Sequence, residues 1–222
     1  LTALMAERVA AVVTVEIDKH LYQIASEELI DFTNVTMLRQ DALKNKNQLH
    51  ENILTTIEQQ LAETHRFKFV ANLPYNIATP VISNLLGCRI PPCSMTVTIQ
   101  KELAERILAK PSSKEYSHLS VWIQSQCTAE IIRIMPPTVF WPRPKVESAI
   151  VHLEFVKALR DRIPDLHFFH SFTRSLFFHR RKFLRSVLIS AMKNQLDKEQ
   201  VDEAINELQL KPDQRAEQLS VE

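Results

Sequence analysis

The chain has 222 residues, of which 45% are hydrophobic and 24% are charged, and its formal net charge is +1. This length can bury a full core, and we expect one larger and one smaller domain. No apolar run approaches the roughly 20 residues needed to cross a bilayer, and no segment has the pattern of a secretory signal peptide. The composition therefore indicates a soluble globular protein, which we expect in the cytoplasm.

The numbers of cysteines and glycines exclude several further classes of protein. The three cysteines are odd in number and lack the paired spacing of zinc ligands, so we predict neither a disulfide framework nor a metal site. Gly87 is the single glycine, whereas an average usage of about 7% would give roughly 15. Doubly wound nucleotide-binding folds need glycines where the first strand turns into its helix. We therefore expect that first strand and its glycine-rich loop to be missing from this chain.

Strands and helices alternate in the first third of the chain. The β-branched apolar run at 11–17 predicts a buried strand, and a helical pattern follows it. We predict strands at 11–17, 35–39 and 67–71, and helices at 19–29 and 48–63. Such alternation implies a parallel α/β sheet with right-handed crossovers.

The middle of the chain continues with both kinds of element. The apolar run at 119–127 fits a strand or a helix, and we favour the helix. The proline-dense segment 136–144 separates two closing strands. We predict helices at 80–86 and 101–109, and strands at 95–99, 131–135 and 146–155.

Apolar residues take a helical period from residue 166 onward. Phe169, Phe172, Leu176, Phe183 and Val187 recur at spacings of three to seven residues. We place a boundary near 158–164. The sequence thus predicts an α/β domain at 1–158 and a small all-helical domain at 165–222.

Polar side chains stand at the carboxyl ends of three successive predicted strands. Ligands of open α/β sheets bind beyond those ends, where an acidic residue such as Glu16 can accept hydrogen bonds from both hydroxyls of a ribose. Asp41 can accept a hydrogen bond from the amino group of an adenine ring. Because each separation fits one βαβ crossover, we expect Glu16, Asp41 and Asn72 to line one edge of the sheet. The alternative for Asp18 or Asp41 taken singly is a helix cap.

Asn72, Leu73, Pro74 and Tyr75 follow the third predicted strand directly. An amide, a rigid proline and an aromatic ring at a strand end suit the binding of a flat base that carries an exocyclic amine. Ordinary core packing is the alternative for Tyr75 and also for Phe140.

At this point the sequence resembles a known family, the ribosomal RNA adenine dimethyltransferases, over residues 1 to about 188. The motif N-L-P-Y is fairly specific among methyltransferases. The resemblance rests on V-E-I-D at Val15 to Asp18, Q-D-A at Gln40 to Ala42, N-L-P-Y at Asn72 to Tyr75, Q-K-E-x-A-E-R at Gln100 to Arg106, F-x-P-x-P-K-V-x-S at Phe140 to Ser148, and R-R-K-x-L-R at Arg180 to Arg185.

The resemblance implies a Rossmann-like methyltransferase sheet that uses S-adenosyl-L-methionine as methyl donor. Glu16 would bind the donor's ribose and Ile17 would cover its adenine face. Asp41 and the backbone of Ala42 would bind the adenine edge, with Asn72 beside the donor.

The resemblance also implies a binding site for an adenine. The Asn72 side-chain oxygen and the Leu73 backbone oxygen would accept the hydrogens of N6, so that its lone pair can point at the methyl group. Pro74 would fix the backbone, Tyr75 would stack on the base, and Phe140 would close the other face. Such a base has to be flipped out of a duplex or presented unpaired.

A basic stretch lies in the predicted helical domain. A continuous helix would place Arg180 on the apolar stripe, so we expect a break near His179 that lets Arg180 point outward. A solvated charged surface is the alternative to RNA binding for such a cluster, but beside a base-modifying cleft we favour RNA. The predicted RNA-binding residues are Arg174, Arg180, Arg181, Lys182 and Arg185.

Together with the predicted site, the resemblance implies an enzyme that dimethylates N6 of two adjacent adenines in a small-subunit ribosomal RNA hairpin. We expect a monomer that binds the immature small ribosomal subunit and needs neither membrane nor metal. One alternative is the macrolide-resistance type, which acts on large-subunit RNA. Another is a ribosome-assembly or RNA-binding factor that keeps the fold without catalysis.

Overall fold

The computed structural model describes residues 1–63, 65–193, 195–211 and 213–221. Three of the remaining residues, Asn194, Pro212 and Glu222, fall in the predicted helical domain and lie outside the described residues. The chain forms two compact units. The first unit contains Leu1–Lys68 and Asn76–Cys93, and the second unit contains Phe69–Tyr75 and residues from Ser94 onward. Within the described residues, no helix is long and apolar enough to cross a membrane.

The first unit is built around a pair of parallel strands. Strand β1 runs beside β2 in the register Val12 to Val35, which confirms the predicted parallel pairing. Asp18 caps the next helix by accepting hydrogen bonds from two backbone amides, so the carboxylate satisfies donors that would otherwise be unpaired. The elements are α1 (Thr2–Ala6), β1 (Val12–Val15), α2 (Lys19–Glu28), β2 (Val35–Leu38), β3 (Leu43–Asn45), β4 (Gln48–Leu49) and α3 (Glu51–Gln60).

A small hairpin replaces the start of one predicted helix. Strands β3 and β4 are antiparallel, so Gln48 and Leu49 are in a strand and α3 begins only at Glu51. The turn forms because the Asn45 side chain accepts a hydrogen bond from the backbone amide of Asn47. Asparagine makes such turns readily, and this local preference outweighed the helical pattern.

The second unit contains a four-stranded sheet in the order β5-β6-β8-β7. Strands β6 and β8 alternate between buried and partly exposed side chains along most of their length. They pair antiparallel, and β7 pairs antiparallel with the other side of β8. The strands are β5 (Lys68–Asn72, whose first residue belongs to the first unit), β6 (Ser94–Gln100), β7 (Cys127–Met135) and β8 (Ser148–Phe155).

Two predicted strands differ from the structure in their bounds. The strand predicted at 67–71 is β5, at Lys68–Asn72, which lies at the edge of its sheet and carries an exposed Val70. Strand β7 begins at Cys127, four residues before the predicted start. A register shift between Ile131 and Arg133 interrupts its pairing with β8, so the period of its apolar residues is broken there.

Three helices lie in the middle of the chain, and one of them, α4 (Tyr75–Gly87), belongs to the first unit from Asn76 onward. Helix α4 carries Pro80 in its interior, α5 is Lys101–Ile107, and α6 is His118–Gln124. The helix that we favoured at 119–127 is therefore confirmed as α6. Ser117 and Ser120 form a reciprocal cap at its start.

The remaining residues form the helical tail of the second unit. Its helices are α7 (Lys157–Arg160), α8 (Leu166–Phe178), α9 (Leu184–Ala191) and α10 (Lys198–Glu207). The break expected near His179 is confirmed, because α8 ends at Phe178. Leu176, Leu184, Val187 and Ala216 form a buried cluster.

The last described residues pack back against an earlier loop of the same unit. The Ser112 amide donates to the Glu217 carbonyl at 2.7 Å, and the Tyr116 hydroxyl donates to the Leu219 carbonyl at 3.0 Å. The domain boundary near 158–164 stays a prediction.

We expect Leu153→Ala to destabilise the protein because Leu153 is fully buried in β8 between two neighbouring strands. The loss of packing and the cavity left behind should lower the free energy of unfolding by about 2–5 kcal/mol, measured by urea denaturation. The control Ile132→Ala removes an exposed side chain from β7 and should cost less than about 0.5 kcal/mol. Equal losses in the two variants would contradict this placement of the core.

Candidate active site

Glu16 follows β1 directly in the first unit. Its backbone amide donates to the Leu38 carbonyl at 3.0 Å, which continues the parallel ladder by one residue. Its Oε1 accepts a hydrogen bond from the Asp18 amide at 2.8 Å. The half-buried carboxylate is therefore held in one orientation and still has a second oxygen with which to accept hydrogen bonds.

Ile17 and Asp18 differ in what they can do for a ligand. The Ile17 side chain is 64% exposed, which suits an apolar surface for a flat ring. Asp18 Oδ1 accepts from the amides of His20 and Leu21 at 2.8 and 2.9 Å. The hydrogen bond from Leu21 holds the pKa of Asp18 below its usual value. The helix-cap alternative is therefore confirmed for Asp18, and Glu16 is the acid with an oxygen to spare.

Asp41 is exposed and opens the β3–β4 hairpin. Its Oδ1 accepts from the Leu43 amide at 2.9 Å, and the Ala42 carbonyl accepts from the His50 amide at 3.1 Å. The helix-cap alternative is wrong for Asp41, because His50 is the residue that precedes α3. The preceding Gln40 has a buried Nε2 with no hydrogen-bond partner among the described residues, a feature that sequence reasoning missed.

The residues from Asn72 to Tyr75 form the candidate acceptor loop of the second unit. Asn72 is the exposed last residue of β5, and Tyr75 begins α4. Between them, the buried Leu73 donates its backbone amide to the Thr98 carbonyl of β6 at 3.1 Å. This hydrogen bond fixes the backbone between the Asn72 amide side chain and Pro74.

A second anchor joins the acceptor loop to β8. The Tyr75 hydroxyl and the Ser148 Oγ lie 2.7 Å apart, and Ser148 is fully buried. The half-buried ring of Tyr75 is therefore fixed at its polar end. Sequence reasoning assigned no role to Ser148, although Ser148 is the last residue of the F-x-P-x-P-K-V-x-S motif.

Phe140 lies in the loop that leads to Ser148. It is half-buried and directly follows a 3₁₀ turn at Pro137–Val139. At the other end of the loop, Lys101 donates its backbone amide to the Glu147 carbonyl at 3.0 Å and its Nζ to the Glu147 carboxylate at 2.8 Å. The hydrogen bond to Glu147 raises the pKa of Lys101. Both ends of the Phe140 loop are thus fixed within the second unit.

The structure describes the predicted site residues in two groups. Glu16, Ile17, Asp41 and Ala42 belong to the first unit, whereas Asn72 to Tyr75 and Phe140 belong to the second unit. The expectation that Glu16, Asp41 and Asn72 share one sheet edge stays a prediction.

The basic stretch contains cations of two kinds. The Arg180 guanidinium donates to Glu217 Oε2 from two nitrogens at 2.8 and 3.0 Å and to the Lys114 carbonyl at 2.9 Å. The expectation that Arg180 points freely outward is therefore wrong, because this carboxylate binds it. Arg185 is likewise paired with Asp202, at 2.7 Å.

The other three cations of the stretch are exposed. Arg174, Arg181 and Lys182 form no ion pair with any other residue that the structure describes. Phe178 and Phe183 are exposed beside them. A cavity of about 400 Å³ is lined by Arg174, Phe178 and His179 together with residues of α9. Three free cations beside exposed aromatic rings form a surface suited to nucleic acid.

His118, His170 and Glu102 make contacts within the second unit. The His118 ring nitrogen lies 3.0 Å from Thr173 Oγ1, and its ring lies 4.8 Å from that of His170. Burial, and then the nearby His170 and Arg174, lower the pKa of His118 to about 4. Glu102 pairs with Arg106 at 2.7 Å on α5. No cluster of three metal-binding side chains occurs within the described ranges.

Comparison with protein families gives a match over the whole chain. The family model described as ribosomal RNA adenine dimethylase matches residues 1–222. The chain is 40% identical to ribosomal RNA small subunit methyltransferase A of Clostridium botulinum (strain Okra / Type B1), over 100% of this chain and 76% of that protein. It is 37% identical to the protein of the same name from Streptococcus mutans, over 100% of this chain and 74% of that protein.

Two solved structures resemble this one in fold. A dimethyladenosine transferase from Plasmodium falciparum has a TM-score of 0.77 at 20% identity, over 99% of this chain and 82% of that chain. The 23S rRNA methyltransferase ErmE has a TM-score of 0.59 at 21% identity, over 98% of this chain and 82% of that chain. These likenesses confirm the predicted fold class, a Rossmann-like α/β methyltransferase fold.

The half-buried His118 should make stability depend on pH. Between its ordinary pKa of 6.5 and the folded value of about 4, the unfolded chain binds a proton that the folded chain does not. Stability should therefore fall as the pH falls through this window. Between pH 7 and pH 5, the wild type should lose about 1–2 kcal/mol more unfolding free energy than His118→Gln, measured by urea denaturation. The control His167→Gln, at an exposed position, should behave like the wild type, and identical pH dependence in all three proteins would contradict the assignment.

Proposed function

Because the chain belongs to the ribosomal RNA adenine dimethylase family, we propose that it methylates N6 of two adjacent adenines in a small-subunit ribosomal RNA hairpin, twice each. The chain is a methyltransferase, and its methyl donor is S-adenosyl-L-methionine. Relatives at 34–40% identity are named small-subunit methyltransferases, whereas ErmE, named for 23S rRNA, is 21% identical. The large-subunit and non-catalytic alternatives are therefore not favoured.

The observation that carries the proposal is the doubly anchored acceptor loop. The Leu73 amide is fixed on β6 and the Tyr75 hydroxyl is fixed on Ser148 of β8. Only Asn72 and Pro74 in this loop are exposed. A loop that is rigid at two points and exposes an amide between them is preorganised to orient a planar base.

The acceptor amine of adenine is a poor nucleophile because its lone pair is delocalised into the ring. In our proposal, the Asn72 side-chain oxygen and the Leu73 carbonyl accept the two N6 hydrogens. These hydrogen bonds favour a pyramidal nitrogen whose lone pair points away from the ring plane. Tyr75 and Phe140 hold the two faces of the base. Transfer of the methyl group to N6 would break its bond to the donor's sulfur, which would leave as a neutral thioether, and the methylated amine would be positively charged and acidic. Water or Asn72 would then carry the proton away without a strong general base.

The first unit offers residues that fit the donor. The oriented carboxylate of Glu16 can accept both ribose hydroxyls through its second oxygen. The exposed Ile17 side chain covers one face of the adenine. Asp41 and the Ala42 backbone bind the edge of that ring. The sulfonium of the donor supplies an already electrophilic methyl group, so no residue has to activate it.

The helical residues 165–222 form the RNA-binding part in this proposal. Arg174, Arg181 and Lys182 are free to neutralise phosphates, while Arg180 and Arg185 hold the fold of the tail through their carboxylate partners. The partner is the immature small ribosomal subunit in the cytoplasm, and the enzyme binds it as a monomer.

Asn72→Ala should abolish most methyl transfer while RNA binding is largely retained, because the variant loses the hydrogen-bond acceptor that orients N6. We expect a rate loss of about 100-fold or more, measured as labelled methyl transfer to immature small subunits by the full-length protein. Asn76→Ala is the matched control, since it removes a neighbouring exposed amide from α4. An unchanged rate of methyl transfer in Asn72→Ala would contradict the proposed mechanism.

The double variant Arg181→Ala/Lys182→Ala should bind RNA more weakly and with a smaller dependence on salt. Loss of two phosphate contacts should reduce the slope of log affinity against log salt by about 1.4–1.8, measured by titration at several salt concentrations. The control Lys198→Ala/Lys211→Ala removes two exposed cations elsewhere in the tail and should leave the slope unchanged. An identical slope in the first variant and the wild type would refute the assignment of these two cations.

A further inference from the structure

Trp141 is the most solvent-exposed large hydrophobic residue among the described ones. Its side chain is 96% exposed, compared with 79% for Ile30 and Phe178. An indole carries a large apolar face, so full exposure to water is unfavourable unless a partner covers it at some stage. The neighbouring Val139 and Val146 are also exposed. The loop between β7 and β8 therefore presents an apolar surface that none of the residues described by the structure covers.

The charges around Trp141 indicate what kind of partner fits. Arg143 and Lys145 are exposed and form no ion pair within the part of the chain that the structure describes. Glu147, the acid of this loop, is already bound by Lys101 at 2.8 Å. An aromatic plane beside two free cations is the combination that binds unpaired nucleic acid, with stacking on the base and charge on the phosphates.

The position of Trp141 indicates which nucleotide it can reach. It follows Phe140, and consecutive Cα atoms are about 3.8 Å apart. The loop that carries both rings ends at Ser148, whose hydroxyl lies 2.7 Å from that of Tyr75. Phe140, Trp141 and the acceptor loop belong to the same unit. The exposed indole is thus one residue from the ring that closes the adenine site.

We propose that Trp141 is a stacking platform for the unpaired base next to the target adenine, with Arg143 and Lys145 on the phosphates of that nucleotide. This inference rests on the proposed function, in which two adjacent adenines are methylated in turn. While one adenine lies between Tyr75 and Phe140, its neighbour stacks on Trp141. Trp141 is therefore a specificity-determining residue that favours two adjacent unpaired bases.

The test uses tryptophan emission of the full-length protein with a hairpin RNA whose loop carries two adjacent unpaired adenines. The hairpin should quench the emission to saturation, and Trp141→Phe should remove the part of this quenching that comes from Trp141, to which Trp122 adds little because it is only 2% exposed. Trp141→Ala should weaken binding by about 5- to 150-fold, the usual effect of losing one stacked base. Trp141→Phe should lose less, since phenylalanine also stacks. Ile30→Ala, at an exposed position in the first unit, is the control and should bind like the wild type.

Three results would overturn the proposal. The first is unchanged affinity for the hairpin in Trp141→Ala with an unchanged melting temperature. The second is equal quenching by a fully paired duplex, which would mean that Trp141 does not need an unpaired base. The third is a dependence on Trp141 for binding the immature subunit but not the hairpin, which would point to a protein partner.

Methyl transfer measured on the same samples separates this proposal from the proposed function. Equal rates of methyl transfer in the wild type and Trp141→Ala would count against stacking on Trp141 and would be consistent with the proposed function. Quenching that depends on Trp141, in a protein that transfers no methyl group, counts against the function and supports stacking.

Discussion

The acceptor loop depends on one hydrogen bond, between the Tyr75 hydroxyl and the buried Ser148 hydroxyl. Ser148 begins β8, which lies between β6 and β7 in the sheet of the second unit. The 2.7 Å contact therefore fixes the ring of Tyr75, at the edge of the sheet, to a strand in its interior. A buried hydroxyl without a partner is costly, so each of the two residues constrains the other. Leu73 adds a second anchor on β6, and together the two contacts leave the loop little freedom.

Much of the fold could be predicted from the sequence because its strands and helices have clear periods. The parallel pairing of β1 and β2, the alternation of β6, the helix α6 and the break at His179 all follow from apolar spacing or from a conflict within it. The predicted elements are wrong where a local turn or pairing with a distant strand outweighs the pattern of apolar residues. The β3–β4 hairpin forms because Asn45 closes a turn, and the early part of β7 forms because β8 pairs with it.

The candidate site was predictable to the extent that its residues lie in motifs at strand ends. Asn72 and Glu16 stand where the strand pattern places them. Ser148 was missed because a serine at the end of a motif gives no sign of a partner 73 positions away. The roles of Arg180 and Arg185 were also not predictable, since Glu217 and Asp202 are distant in sequence and a run of cations looks uniform. Charge counting alone therefore overstates how many cations are available to RNA.

The return of residues 217–219 to the loop around Ser112 and Tyr116 has a consequence for folding order. The hydrogen bond from Tyr116 to Leu219 spans 103 positions, and the ion pair from Arg180 to Glu217 spans 37. Such long-range contacts are slow to form, because the chain has to close a large loop before it gains any interaction. During synthesis, the tail can complete its packing only after residue 219 has left the ribosome. The basic, aromatic surface of the tail would thus reach its final arrangement only after these long-range contacts have formed.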